Sequence, residues 1–217
     1  TPCATMTAHR GNKSMSTADL IDPQIAFSPL LRHYTLGEFW ELPEPPDRWH
    51  YDLIGGVLYM VPPPDPPHGD LDARLNRWLF LFLEASGDTG SVYHPREAIY
   101  IESTNVEPDM MYVSNELASR MGRRRTSADI VFEYLSRSTA VYDRTTKADT
   151  YLALGVKELW LVDPTTRTIE VRQWTPPAID GGLPKWEIVV YGASESAESR
   201  VLTGWSGPVD RLFADLA

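Results

Sequence analysis

Two carboxylates and a lysine follow one another along this chain at positions where charged side chains are uncommon. Asp109 directly precedes the apolar run Met110–Val113, and Glu133 lies inside the largely apolar run 129–135. Lys147 follows on a segment with helical spacing. Because an unpaired charge is costly to bury, carboxylates are rarely placed in buried strands without a partner. The three residues therefore predict one acidic pocket that holds a divalent cation.

The predicted pocket suits the hydrolysis of phosphodiester bonds. Mg²⁺ or Mn²⁺ binds through oxygen atoms, usually one or two carboxylates together with water and substrate phosphate. Asp109 and Glu133 would supply the carboxylates, and a backbone carbonyl near Tyr134 would add a third oxygen. The metal would lower the pKa of a bound water and offset charge on the phosphoryl group. Lys147 would position the attacking water or stabilise the phosphate.

Four more side chains are candidates for the same pocket. Asp143 and Tyr151 lie one helical turn before and after Lys147, so they share its face, and Tyr151 is a candidate substrate contact. Asp52 stands in a predicted apolar strand, where it either reaches the pocket or lies on the polar face of the strand. His68 opens a long predicted helix after a proline run. It is either a surface or capping residue, or a proton acceptor or phosphate contact.

Each member of the trio also has an ordinary structural explanation. Asp109 alone is compatible with a turn before a strand. Glu133 is compatible with a buried salt bridge to Lys147 or an arginine, and Lys147 with a solvent-facing position. Two other function classes stay open, namely a non-catalytic binding or regulatory module on the same fold and a hydrolase that acts on sugars through a carboxylate pair. A lysine beside both acids favours phosphate over an oxocarbenium ion.

The overall charge limits the partners of the protein. The 217 residues include 30 acidic and 20 basic side chains, which give a net charge of −10. Nonspecific binding to nucleic acid is driven by Lys and Arg on phosphates, so a generic polyanion-coating protein is excluded. DNA is still expected as a substrate, if metal and local positive charge offset the acidic pocket. The one dense basic cluster, residues 120–125, is interpreted as a solvated loop.

Cysteine content and hydropathy indicate the compartment. The single cysteine, Cys3, excludes an internal disulfide and a Cys-based zinc site. No stretch approaches the roughly 20 apolar residues that span a bilayer, and the N-terminus lacks the apolar core of a signal peptide. A cytoplasmic protein without membrane contact is therefore expected. The many Trp and Tyr side chains either fill the core or line a homodimer interface.

The order of the predicted elements indicates the fold class. Residues 1–28 are predicted to be a poorly ordered extension and residues 29–217 a single domain. Hydrophobic periodicity and turn residues predict helices over 36–42, 68–85, 115–121, 139–154 and 209–216. They predict strands over 49–54, 57–61, 91–94, 97–101, 109–113, 130–135, 158–162, 168–174, 186–191 and 200–202. This order predicts an α/β fold of the α+β type, a central mixed β-sheet flanked by helices, with a right-handed crossover from Ile130 to Val162 if these strands are parallel.

Several stretches carry a family resemblance through their order and spacing. These stretches are Tyr34–Phe39, Tyr51–Leu58, Pro62 to His68, Glu107–Val113, Phe132–Thr139, and Lys147 with Gly155–Pro164. Together they resemble a bacterial family of restriction-endonuclease-like proteins, a branch of the PD-(D/E)xK nuclease superfamily. The resemblance covers roughly residues 34–174.

The resemblance implies a restriction-endonuclease-like core in which Asp109 and Glu133 bind the metal. The usual lysine position, two residues after the glutamate, is Leu135 in this chain. In this family the lysine has moved to the following helix, which matches Lys147. The trio that the residues indicate by themselves is therefore the trio that the resemblance implies.

The chain departs from the usual residues of the family at three positions. Asp52 stands where the family has Glu, and this shorter side chain weakens any role of the carboxylate. Gly55 stands where the family has Asp, and Arg137 replaces the proline of a Ser-Pro-Ser stretch. None of these departures removes Asp109 or Glu133, so the predicted metal ligands are retained.

Overall fold

The structure is a computed structural model that describes residues 32–64, 66–179 and 181–216. The predicted extension 1–28 and the predicted domain start at residue 29 lie outside these residues. The strands in this part of the chain are β1 (His50–Ile54), β2 (Val57–Val61), β3 (Ser91–Tyr93), β4 (Ile99–Ile101), β5 (Thr104–Val106), β6 (Met110–Val113), β7 (Ile130–Tyr134), β8 (Glu158–Asp163), β9 (Thr168–Thr175), β10 (Lys185–Tyr191), β11 (Ser196–Glu198) and β12 (Ser206–Pro208).

The helices lie between groups of these strands. They are α1 (Leu36–Trp40), α2 (His68–Ser86), α3 (Asn115–Met121), α4 (Ala140–Tyr142), α5 (Ala148–Ala153) and α6 (Val209–Leu212). A π-helical turn, Asp143–Lys147, joins α4 to α5, and the N–H of Ala148 donates to the carbonyl of Asp143 across five residues. None of the helices in the described part of the chain is long and apolar enough to span a membrane.

A six-stranded mixed sheet forms the centre of the fold. Its strand order is β10-β9-β8-β7-β6-β3, in which β7 and β8 are parallel and the other neighbours are antiparallel. A four-stranded sheet has the order β2-β1-β5-β4, and β11 pairs with β12. The predicted mixed sheet flanked by helices is therefore confirmed. The strands on either side of the 139–154 segment, β7 and β8, are parallel, which is the condition of the predicted crossover.

The two faces of β7 contact different cores because side chains alternate along a strand. Ile130, Phe132 and Tyr134 pack in one cluster with the leucines of α2, which recur every four residues from Leu71. Val131 faces a second cluster on the opposite side, which contains side chains of α5. By this alternation Glu133 lies on the second face. Glu133 thus projects to the side of the sheet that carries this second cluster, where Lys147 and Asp143 are also buried.

Local signals at helix ends are confirmed. The Thr35 side chain accepts from the N–H of Glu38, and the Glu38 carboxylate accepts from the N–H of Thr35, which forms the predicted capping box of α1. Gly87 ends α2 with a φ of 72°, a left-handed conformation that glycine adopts without strain.

Several elements were predicted wrongly or missed. Strands β11 and β12 were not predicted, and the predicted helix 209–216 ends at Leu212. The predicted strand 200–202 is a turn, because the Ser199 hydroxyl accepts from the N–H of Leu202 and turns the chain back. Strand β5 was missed because its three residues, which pair with β4, lack an alternating pattern long enough to detect. The predicted helix 139–154 is interrupted by the π-helical turn, which adds a residue that the 3.6-residue periodicity does not show.

Candidate active site

Glu133 is the buried centre of the candidate site. Its side chain projects from β7, and the residue is only 1% exposed. The Lys147 ammonium donates to both carboxylate oxygens, with N···O distances of 2.9 and 3.0 Å. The Tyr151 hydroxyl donates to Oε1 at 2.5 Å. The π-helical turn and α5 thus hold the Glu133 carboxylate in one orientation.

Lys147 is a buried cation surrounded by carboxylates. Its Nζ also donates to the backbone carbonyl of Glu107 at 3.0 Å. It lies 4.0 Å from Asp52 Oδ2 and 3.9 Å from Asp143 Oδ1. Burial alone would lower the pKa of Lys147, but the surrounding carboxylates, Glu133 foremost, raise it above its ordinary value. The carboxylates around Lys147 therefore favour its charged form.

Asp52 reaches the same pocket from β1. Its Oδ1 accepts from the N–H of Glu107 at 3.0 Å, and its Oδ2 accepts from the Tyr142 hydroxyl at 3.0 Å. The residue is fully buried. Of the two sequence interpretations, the pocket position holds and the polar-face position was wrong. Asp52 fixes the segment before β6, since Glu107 precedes Asp109 by two residues.

Asp109 directly precedes β6, and Glu133 lies in the neighbouring strand β7. Strand β6 pairs with β7 so that Met110 stands opposite Phe132. Extending this register by one residue places Asp109 opposite Glu133. Directly opposed residues have Cβ atoms about 4.5–5.5 Å apart and project from the same face. The two acids therefore converge at one edge of the sheet instead of pointing to opposite sides.

Asp109 is the carboxylate of this cluster that solvent reaches most. Its Oδ2 accepts from the backbone N–H of Tyr134 at 2.8 Å. Its Oδ1 lies 3.4 Å from Nε2 of His68, the first residue of α2. The Asp109 side chain is 22% exposed and that of His68 is 19% exposed. A substrate approaching from solvent would meet these two side chains before it met Glu133.

The cluster holds more negative charge than its lysine offsets. Burial raises the pKa of Glu133 well above its ordinary value, and the nearby Asp109 carboxylate raises it further, against the opposing effect of Lys147. Burial likewise raises the pKa of Asp143 to about 6. Protonation or a bound cation therefore stabilises this part of the fold.

The raised pKa of Asp143 predicts a pH-dependent stability. The folded state binds this proton more tightly than the unfolded state, so the stabilisation is present below pH 4 and is lost as the pH rises through 6. For the parent protein this group alone should add about 2 kcal/mol to the free energy of unfolding between pH 7 and pH 4.5. Asp143→Asn should lack that gain in urea denaturation, whereas replacement of the exposed Asp149 by Asn should keep it. An unchanged pH profile in Asp143→Asn would contradict the assignment.

The family of this chain is established by a match that spans most of its length. A family model named Uma2 and described as "Putative restriction endonuclease" matches residues 36–210. The chain belongs to the Uma2 family. The restriction-endonuclease-like family predicted from the sequence is therefore confirmed.

A solved structure supports the Uma2 assignment at the level of the fold. It is that of a protein from Anabaena variabilis ATCC 29413, described as "a putative nuclease belonging to DUF820". The TM-score is 0.66 at 18% sequence identity, and the match covers 83% of this chain and 97% of that chain. No curated protein matches the chain.

The donors of the Uma2 site fit a divalent cation in type and in charge. Among the residues that the structure describes, no three His, Cys, Asp or Glu side chains are placed to hold a metal by themselves. Mg²⁺ typically binds to one or two carboxylates and completes its shell with water and phosphate oxygens. Asp109 and Glu133 provide such a pair, and the uncompensated charge around Lys147 favours a cation there.

The structure brings most of the predicted residues together and changes the role of two. Lys147, which was predicted to position the attacking water or stabilise the phosphate, is buried and donates to both oxygens of Glu133. Asp52, Asp109, Glu133 and Lys147 meet at one edge of the sheet, with His68 against Asp109. Tyr151 was wrongly predicted as a substrate contact. Its side chain is fully buried and donates to Glu133, so it orients a carboxylate instead.

Two contributors were missed by sequence reasoning. The backbone carbonyl of Glu107 accepts from Lys147, and no side-chain pattern indicates a carbonyl. Tyr142, which binds Asp52, precedes Lys147 by five residues, a spacing that puts two residues on different faces of an α-helix. The π-helical turn brings Tyr142 and Lys147 to the same side, with Nζ 6.0 Å from the centre of the ring.

Proposed function

We propose that this protein is a metal-dependent endonuclease that hydrolyses phosphodiester bonds in DNA with Mg²⁺ or Mn²⁺. The observation that carries the proposal is the convergence of Asp109, Glu133 and Lys147 at one edge of the sheet. The family match and the fold support nuclease chemistry. The choice of DNA, of hydrolysis within the strand and of the metal belongs to the proposal.

The protein residues have separate tasks in this proposal. Asp109 and Glu133 would hold the cation, which supplies Lewis-acid chemistry toward water and phosphate when bound. Lys147 and Tyr151 fix the Glu133 carboxylate, so that its position costs no reorganisation during the reaction. His68, against the exposed side of Asp109, is placed to accept a proton or contact a phosphate.

A second candidate function is a non-catalytic module on the same fold. One observation favours it: both Glu133 oxygens accept from Lys147, and Oε1 accepts from Tyr151 as well. A carboxylate this well satisfied has less need of a metal. The two functions differ in whether the site binds a divalent cation.

Metal binding and DNA cleavage test the proposal directly. Calorimetric titration with Mn²⁺ should give binding heat for the parent, and the heat should disappear in Asp109→Asn because the exposed ligand loses its charge. Supercoiled and linear DNA should be cut in Mg²⁺ or Mn²⁺ but not in EDTA. If the parent gave no binding heat and no cleavage at millimolar metal, the result would favour the non-catalytic module. Asp210→Asn, an exposed change on α6, is the control and should keep both signals.

A further inference from the structure

A cavity adjoins the exposed side of the candidate active site. Its volume is about 320 Å³. It lies where β7 and β8 end, and the segments after these strands form two of its walls. His68 and Tyr134 also line it. Both residues contact Asp109, so the cavity and the acidic cluster share a wall.

Two arginines line this cavity in a protein that is acidic overall. Arg137 is exposed and, within the described residues, has no hydrogen-bond or ion-pair partner. Arg167 donates to the carbonyl of Phe213 through Nη2, which leaves its other N–H groups available. An unpaired guanidinium beside a cavity is a ready donor for a phosphate, which it binds through two parallel hydrogen bonds.

Most of the remaining lining residues are apolar or aromatic, and Ser136 and Thr165 add hydroxyl groups. Leu71, Tyr134, Phe213 and three prolines contribute to the apolar and aromatic walls. Ligand pockets of proteins combine such walls with a few placed polar groups and span about 300–1,000 Å³, so this cavity lies at the small end of that range. One wall is the first turn of α2, which has no side-chain cap and presents the positive end of the helix dipole. Size, apolar walls and guanidinium together suit a single nucleotide.

We propose that this cavity is a subsite that receives one nucleotide of the substrate strand beside the bond to be cut. The phosphate binds Arg137, assisted by Arg167, and the sugar and base lie against the apolar walls. The subsite rests on the nuclease function proposed above, and it places the next phosphate along the strand near His68 and Asp109. Arg137 is thus a determinant of substrate binding.

Binding measurements without cleavage test the subsite. Full-length protein in EDTA is titrated with a fluorescently labelled single-stranded oligonucleotide, and separately with thymidine 5′-monophosphate and thymidine. The oligonucleotide and the monophosphate should bind the parent, with thymidine weaker by about tenfold or more because it lacks the charged acceptor. Arg137→Ala should weaken both phosphate ligands by about tenfold, and Arg137→Glu by more. Monophosphate binding without oligonucleotide binding would overturn the proposal in favour of a site for free nucleotides.

A matched control separates this subsite from general electrostatics. Arg123→Ala removes the same charge from an exposed position two residues after the end of α3 and should leave binding unchanged. Equal weakening by Arg123→Ala and Arg137→Ala would overturn the subsite. Binding of the phosphate ligands by Arg137→Glu at the parent affinity would also overturn the subsite.

The outcomes for the subsite and for the nuclease are distinguishable. If Glu133→Gln abolishes cleavage while Arg137→Glu changes neither cleavage nor binding, the subsite fails and the nuclease stands. If the parent binds the nucleotide but does not cut DNA, and Arg137→Glu does not bind, the nuclease fails and the cavity remains a nucleotide site.

Discussion

Lys147→Met is expected to destabilise the protein by about 3–5 kcal/mol, because it leaves buried carboxylates without their cation. Lys147 donates to both oxygens of Glu133 and lies within 4.0 Å of Asp52 and Asp143. Methionine is one atom shorter than lysine, fills most of the same space and carries no charge. The total stability of a domain is typically about 5–15 kcal/mol, so a large fraction would be lost. Urea denaturation followed by the fluorescence of the seven tryptophans measures the change.

A second substitution distinguishes loss of charge from loss of packing. Lys147→Met combined with Glu133→Gln removes one of the stranded carboxylates and should recover at least about 1 kcal/mol relative to Lys147→Met alone. Lys185→Met, on the exposed side of β10, should change stability by no more than about 0.5 kcal/mol. If the double variant were no more stable than Lys147→Met, the destabilisation would come from packing and not from unpaired charge.

Glu133→Gln and Asp109→Asn are each expected to lower DNA cleavage by about 100-fold or more. Even residues that only orient metal ligands commonly contribute 10–100-fold, so the proposed ligands themselves should contribute at least as much. Glutamine can still accept from Lys147 and Tyr151, and asparagine can still accept from the N–H of Tyr134. Both variants should therefore fold, and the loss should lie in the cleavage rate measured on plasmid DNA with Mg²⁺ or Mn²⁺.

Two controls accompany the cleavage assay: measurements of folding for both variants, and a substitution of a glutamate that lies away from the site. Circular dichroism and thermal unfolding should show that the Glu133→Gln and Asp109→Asn variants are folded like the parent. Glu198→Gln, an exposed change on β11, should cut DNA at the parent rate. Cleavage by Glu133→Gln at the parent rate would assign the activity to another site or to a contaminant.

Sequence reasoning reached the carboxylate pair because strands constrain where side chains point. The apolar run around Glu133 could only be a buried strand, and a buried carboxylate requires partners. The Pro-Asp step before the run at Met110 placed a second acid at the start of a strand. Once β6 and β7 pair in antiparallel register, both acids project from one face. Local pattern was therefore sufficient for the centre of the site.

Other parts of the site depend on tertiary contacts that no local pattern encodes. Asp52 comes from a different sheet. Whether its side chain enters the pocket or lies on the polar face of the strand depends on how β1 packs beside the segment of Glu107. Tyr151 shares the face of Lys147, but only the depth of burial reveals that it orients Glu133 and does not reach a substrate. The cavity beside Arg137 is formed by the ends of four separate segments and has no sequence signature.

The π-helical turn at Asp143–Lys147 makes the composition of the pocket sensitive to helix length. Deleting a single residue there, such as Thr145, would restore an ordinary α-helix and rotate the residues before the deletion by about 100° relative to the residues after it. Tyr142 would swing away from Asp52, while Lys147 and Tyr151 would keep their places on Glu133. Relatives could thus gain or lose a support of this pocket through an insertion or deletion of one codon, a kind of variation that comparing residue types column by column would overlook.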